Sequence, residues 1–195
     1  MSQFFVNQTS PIRSKALNSA LILFAEKGYF NTSVPDLVQH SGVSTGSIYK
    51  HFGDKEGLAR ALLEALVEEL HSRQGELLAG VEGCQPQYLA LARWMFELTV
   101  EYPQVMSFVL YARHQAFLPD SSTICSSKVF MMLRDVLAQG MQQGQIRNMD
   151  VMVAAAVAFG SVIRLMQLEL DGVLDHPLMD YFEEVTQAGW RAICN

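Results

Sequence analysis

Residues 33–58 read SVPDLVQHSGVSTGSIYKHFGDKEGL, and this stretch decides the fold because it spells two short helices joined by a tight turn. Ser33 is a good N-cap, Pro35 sits inside the first turn and Asp36 follows three residues on, a loose capping box. Leu37 and Val38 supply an apolar face. Gly42 ends the helix in a turn that needs no Cβ. Ser44 then caps a second helix holding Thr45, Gly46, Ser47, Ile48, Tyr49, Lys50 and His51. Only Ile48 there is purely apolar. A helix this polar gains little by burial, so its exposed face is there to touch something.

Charge indicates what. The 195-residue chain carries a net charge of −6, which taken alone argues against nucleic acid. The charge is unevenly divided, however. Residues 1–60 hold six Lys/Arg (Arg13, Lys15, Lys27, Lys50, Lys55, Arg60) against four acids, and the rest holds eight against sixteen. A mildly positive head on a negative body suits a protein that offers one end to phosphates.

From about Ser10 to Glu69 the chain resembles the DNA-binding domain of the tetracycline-repressor (TetR) family of bacterial regulators. The matching pieces are LFAEKGYF (Leu23 to Phe30) and TSVPDLVQHSGVSTGSIYKHFGDKEGL. Leu37-Val38 stands where Ile-Ala is usual, and Ser41 where Ala is usual. The resemblance implies a homodimer whose two recognition helices enter successive major grooves of a near-palindromic double-stranded operator, with half-sites roughly 34–36 Å apart or somewhat more. By position, Ser33, Tyr49, His51 and Lys55 would hold phosphates, and Lys55 also lies where helix N–H groups favour anions. Thr45, Gly46, Ser47 and Lys50 would face base edges, beside the cap Ser44; Lys50 can donate to guanine O6/N7. Phe52 is expected in the small three-helix core. Tyr49 is open between a phosphate contact and packing.

The expected fold is all-α, with about nine helices: a helix-turn-helix domain over 9–69 and an effector-binding and dimerisation domain over 70–195. Helical periods recur throughout and no strand alternation stands out. The first helix runs from Ser10 to Lys27 with the stripe Ile12, Ala16, Ala20, Leu23, Phe24. A long fourth helix runs from Asp54 to about Leu77 with Leu58, Leu62, Ala65, Leu66 and Leu70 on one side. Further helices are expected at 86–101, 103–115, 122–143, 150–171 and 177–193. The eighth is apolar nearly all round in its first half and must be covered. The family uses its last two helices for a dimer bundle, which implies an interface over 150–193; a monomer core helix is the alternative.

Nine of ten methionines follow residue 90, among many aromatics, a set that would line a variable apolar effector cavity or simply form core. Trp94, Met95, Met106, Arg113, His114, Met132, Arg164 and Gln167 are the candidate effector residues, although for Arg164 a salt bridge or dimer contact comes ahead of ligand binding.

Other classes fit less well. Gly42 to Gly46 formally matches the G-x-S-x-G nucleophile elbow, but a helix precedes Ser44 where a strand is required. The histidines and cysteines lack metal-site spacing, and no P-loop or GxGxxG is present, so no catalytic residue, metal or cofactor is expected. Cys84, Cys125 and Cys194 read as reduced thiols. The N-terminus lacks a signal pattern, and the apolar run Val151–Ile163 is short for a bilayer, so a cytoplasmic protein without membrane contact is expected. The expected function is a repressor released by a small, largely apolar effector. The alternative is a DNA-binding protein of the same fold that is controlled by a protein partner or acts architecturally.

Overall fold

The computed structural model describes residues 4–5, 10–119 and 127–195. Within them lie ten α-helices: α1 Pro11–Glu26, α2 Val34–Ser41, α3 Thr45–Phe52, α4 Lys55–Leu78, α5 Cys84–Glu101, α6 Pro103–Tyr111, α7 His114–Phe117, α8 Lys128–Gln142, α9 Val151–Leu170 and α10 Phe182–Arg191. A 3-10 turn, Leu178–Tyr181, leads into α10. A single antiparallel bridge, Ile146 with Cys194, is the extent of β structure among the described residues.

Most boundaries follow local chemistry. The Ser10 hydroxyl accepts from the Arg13 N–H with Pro11 at the first position of α1. The Asp150 carboxylate caps α9 by accepting from Met152 and Val153 N–H. The tenth helix arises because the expected 103–115 helix breaks: Ala112 adopts an extended backbone and α7 restarts at His114. The start of the expected 122–143 helix, like Cys125, lies outside the described residues.

The chain forms two compact units, Met1–Glu68 with Tyr102–Thr123, and Glu69–Glu101 with Ile124–Asn195. Helices α6 and α7 belong to the first of these units. There α1 packs against α2 and α3 and also against α6. That double contact explains why nine of its residues are buried, polar Ser14, Asn18 and Ser19 included. Asn18 is fully used: its Oδ1 accepts from the Phe4 and Phe5 N–H groups while its amide donates to the Phe5 and Ser14 carbonyls. Ile12, expected on the buried stripe, is instead 39% exposed. Leu17, Leu37, Ile48, Leu58 and Phe108 are fully or almost fully buried in this unit.

The second unit is organised around Tyr88, which is fully buried. Its hydroxyl lies 3.0 Å from the Ala158 carbonyl, to which it donates, and 3.3 Å from that of Thr186, tying α5 to α9 and α10. Burial pushes its phenol up to about 12. Phe159 and Trp190 flank its ring. Gly189 is required beside it, since a Cβ there would lie 2.6 Å from the Tyr88 hydroxyl and 2.9 Å from the Ala158 carbonyl oxygen. Cys84 is buried, its thiol raised by burial; Cys194 is also a free thiol.

Helix α9 is 20 residues long and, by length and composition alone, apolar enough to cross a membrane. The expected 13-residue limit therefore understates it. In the second unit it packs against α5, α8 and α10 while keeping an outward apolar strip of Met152, Val153 and Val157.

Candidate nucleic-acid interface

The helix-turn-helix is built from short-range chemistry. The Ser33 hydroxyl accepts from the Asp36 N–H, and the Asp36 carboxylate accepts from both the Ser33 N–H (2.7 Å) and its hydroxyl (2.6 Å). These bonds hold the Asp36 carboxyl below its usual range, the Ser33 hydroxyl contributing most. Gly42 ends α2 at φ 68°, in the left-handed region open to glycine. The Ser44 hydroxyl then accepts from the Ser47 N–H and donates to the Ser47 hydroxyl, starting α3. In α3 Ile48 is fully buried, which turns its neighbours outward.

Thr45, Gly46, Tyr49, Lys50 and His51 are exposed, as is Ser44, and Ser47 is half-buried. Tyr49 is 50% exposed, so its ring is not a core residue. Phe52 departs from the expected core role: it is half-buried, with the Arg13 guanidinium 5.3 Å from its ring centre.

The junction to α4 is close. A Cβ on Gly57 would collide with the Phe52 carbonyl oxygen, so only glycine lets α4 approach the end of α3 this tightly. The Asp54 carboxylate accepts from the Gly57 N–H at 2.7 Å and so fills part of the anion site that the start of α4 was expected to offer.

Two of the expected phosphate holders have work inside the protein. The Ser33 hydroxyl donates to the Asp36 carboxylate. The Lys55 ammonium donates to the carbonyls of Tyr29 (3.0 Å) and Thr32 (2.9 Å) and lies 4.2 Å from the centre of the Tyr29 ring. Burial lowers its pKa. Lys55 thus clamps the loop between α1 and α2 in this structure.

The candidate effector residues divide between the units. Met106, Arg113 and His114 belong to the first; Trp94, Met95, Met132, Arg164 and Gln167 belong to the second. Met95 and Met106 are buried core, Trp94 and Met132 half-buried, and exposed Arg164 reaches Gln167 Oε1 on its own helix at 3.4 Å. His114 is buried against Phe108 and Phe117; burial pushes its imidazole down, partly offset by the Phe108 backbone. Arg113 lines an aromatic cavity of about 440 Å³ in the first unit. None of the eight lines the cleft of about 190 Å³ between α8 and α9.

Of the cavity's rings, Phe108, Tyr111 and Phe117 are among the aromatics after residue 90, whereas Phe24, Tyr29 and Phe30 were missed from sequence. Tyr29 and Phe30 follow the helix-stopping Gly28, and two aromatics in a short loop were the available signal. Among the described residues no group of three or more potential metal ligands occurs.

Known proteins match the chain over most of its length. The family model for bacterial regulatory proteins of the tetR family matches residues 16–62, and that for the tetracyclin repressor-like C-terminal domain matches residues 76–195. The HTH-type transcriptional repressor KstR2 of Mycobacterium tuberculosis is 29% identical over 148 residues, 74% of each chain. Among solved structures, the fatty acid degradation regulator FadR from Bacillus halodurans superposes with a TM-score of 0.81 at 16% identity, covering 94% of this chain and 97% of that one. A Bacillus subtilis FadR, solved with stearoyl-CoA, gives a TM-score of 0.77 at 19% identity over 90% and 96%.

Proposed function

Because the chain belongs to the TetR family and is a DNA-binding transcriptional regulator, not an enzyme, we propose that it acts as a homodimeric repressor that α3 docks into the major groove of a near-palindromic operator. The observation that carries this reading is the outward set Thr45, Gly46, Tyr49, Lys50 and His51 around buried Ile48. Lys50 reads base edges, Gly46 admits close backbone approach, and Tyr49 and His51 hold phosphates. Ser33 and Lys55 position the elements that carry them.

The dimer contact is centred on α9 within 150–193. Supporting this, Met152 (53%), Val153 (49%) and Val157 (37%) leave an apolar strip open, and Met131 of α8 adds to the exposed apolar surface. The outer side of α10 is polar by contrast, with Gln187 bonded to Glu183 and Arg191 bonded to Gln187. Covering the strip with a second copy accounts for a helix that would otherwise meet the composition of a membrane span.

We propose further that a small apolar ligand controls DNA release. KstR2 and FadR regulators, one of the latter solved with an acyl-CoA, support ligand control in proteins of this fold. A hundredfold loss of operator affinity needs about 2.7 kcal/mol of coupling, inside the usual range. The test is a gel-shift titration of wild type, Tyr49→Ala and Lys50→Ala on DNA selected from random sequence. Tyr49→Ala is expected to weaken binding to all sequences and Lys50→Ala mainly to blur preference. Unchanged binding in both overturns the docking assignment.

A further inference from the structure

We propose that Arg13, in the first turn of α1, holds a DNA phosphate at the end of the recognition helix, kept in place there by the ring of Phe52. The inference rests on the docking of α3 proposed above and adds to it a contact from a different helix.

Length places the end of α3 beside the DNA backbone. The helix has eight residues. At about 1.5 Å per residue it measures roughly 12 Å, about the width of the major groove. A helix that reads base edges from its first turn therefore brings its last turn towards a wall of phosphates. That turn holds Lys50 and His51, and Phe52 closes it. The Phe52 ring lies 6.2 Å from the ring of exposed His51, and the Arg13 guanidinium lies over it, 5.3 Å from its centre. Helix α1 packs against α3, so Arg13 reaches this end from a neighbouring element of the same unit.

The guanidinium has a charge to spare. The Arg13 backbone N–H is committed to the Ser10 cap. Among the described residues its side chain meets no acid within ion-pair distance and donates to no acceptor. The residue is half-buried, and a charge so placed costs free energy that a counter-charge offsets. Contact with a ring face uses none of the five N–H donors, which stay open to phosphate oxygens. It also fixes the planar fork, so less side-chain freedom is lost on binding. Two other cations of the α4 start are engaged: Lys55 donates to the Tyr29 and Thr32 carbonyls, and Arg60 pairs with Glu56 at 3.0 Å. Asp54 and Glu56 are exposed at the same junction. A phosphate arriving there needs a cation brought from another helix, and Arg13 supplies it.

The test measures binding of the full chain across a salt series, to the duplex selected from random sequence and to an unselected duplex of equal length. Arg13→Gln, with Arg13→Ala as a second neutral variant, is expected to weaken both about tenfold at low salt. The slope of log affinity against log salt should fall by about one. Arg13→Lys keeps the charge and is expected to keep the slope. Lys15→Gln removes the same charge two residues along, on another side of α1, and should leave the slope unchanged. Loss of the ring contact alone would lower affinity or the urea midpoint without moving the slope. An unchanged slope in the neutral variants, or an equal fall in Arg13→Lys or Lys15→Gln, overturns the proposal while Tyr49→Ala and Lys50→Ala still act on the operator. If those two also leave binding unchanged, the docking of α3 has failed and this contact falls with it.

Discussion

The Lys55 ammonium lies 4.2 Å from the centre of the Tyr29 ring while donating to the Tyr29 carbonyl, so the first residue of α4 grips both the side chain and the backbone of the loop that leads into α2. Its second bond, to the Thr32 carbonyl, reaches the residue before the α2 cap. One side chain thus fixes the start of the helix-turn-helix to the start of the helix that follows it.

Replacing Lys55 with Met tests that role against a phosphate contact. As a clamp, Lys55→Met costs about 1–2 kcal/mol in urea unfolding from lost hydrogen bonds and cation–π contact, and the salt slope of DNA binding is unchanged. A phosphate contact would instead lower that slope by about one with stability intact.

Gly57→Ala forces a methyl into the Phe52 carbonyl, so the end of α3 and the start of α4 must separate. The expected loss is about 1–3 kcal/mol of unfolding free energy, with operator affinity falling as the recognition helix shifts. Gly53→Ala, at φ 81° in an open site, serves as the comparison: it strains the backbone without that collision.

Stability should fall on acidification through His114. Its folded pKa lies below the unfolded value because burial disfavours the imidazolium. Above the unfolded pKa both states are neutral and the group contributes nothing. As pH falls through about 6.5 the unfolded chain takes up the proton first, and stability drops until the folded pKa is reached. Urea midpoints between pH 7.5 and 5.5, roughly spanning that range, are expected to decline more for wild type than for His114→Phe.

Gly189→Ala is expected to destabilise the second unit by about 1–3 kcal/mol, since the added methyl meets the Tyr88 hydroxyl and the Ala158 carbonyl together. Thermal unfolding reads it directly. Gly160→Ala, with nothing within 4 Å, should be neutral or mildly stabilising.

The helix-turn-helix was legible because its signals are local. Ser33, Asp36, Gly42 and Ser44 act within four residues of their partners, and a lone Ile48 among polar neighbours marks the buried side. The membership of α6 and α7 in the first unit was not legible, because it depends on pairs such as Phe24 with Phe108 and Tyr29 with Phe117, more than 80 residues apart. The same distance hid the pairing of Phe24, Tyr29 and Phe30 with the later aromatics, of which only the clustering with methionine was visible. The loop contacts of Lys55 were not legible for a different reason. A lysine at a helix start reads as a phosphate contact, and nothing local announces the carbonyls 26 and 23 residues earlier to which it donates.

The most direct test of a symmetric pair presenting α3 to DNA is selection of bound fragments from random duplex DNA, with the mass of the selected complex measured by light scattering. An inverted repeat with half-sites about one helical turn or somewhat more apart, bound by an even number of chains, is the predicted result. Recovery of a single unrepeated site bound by one chain, or of no enriched sequence at low salt, would contradict it.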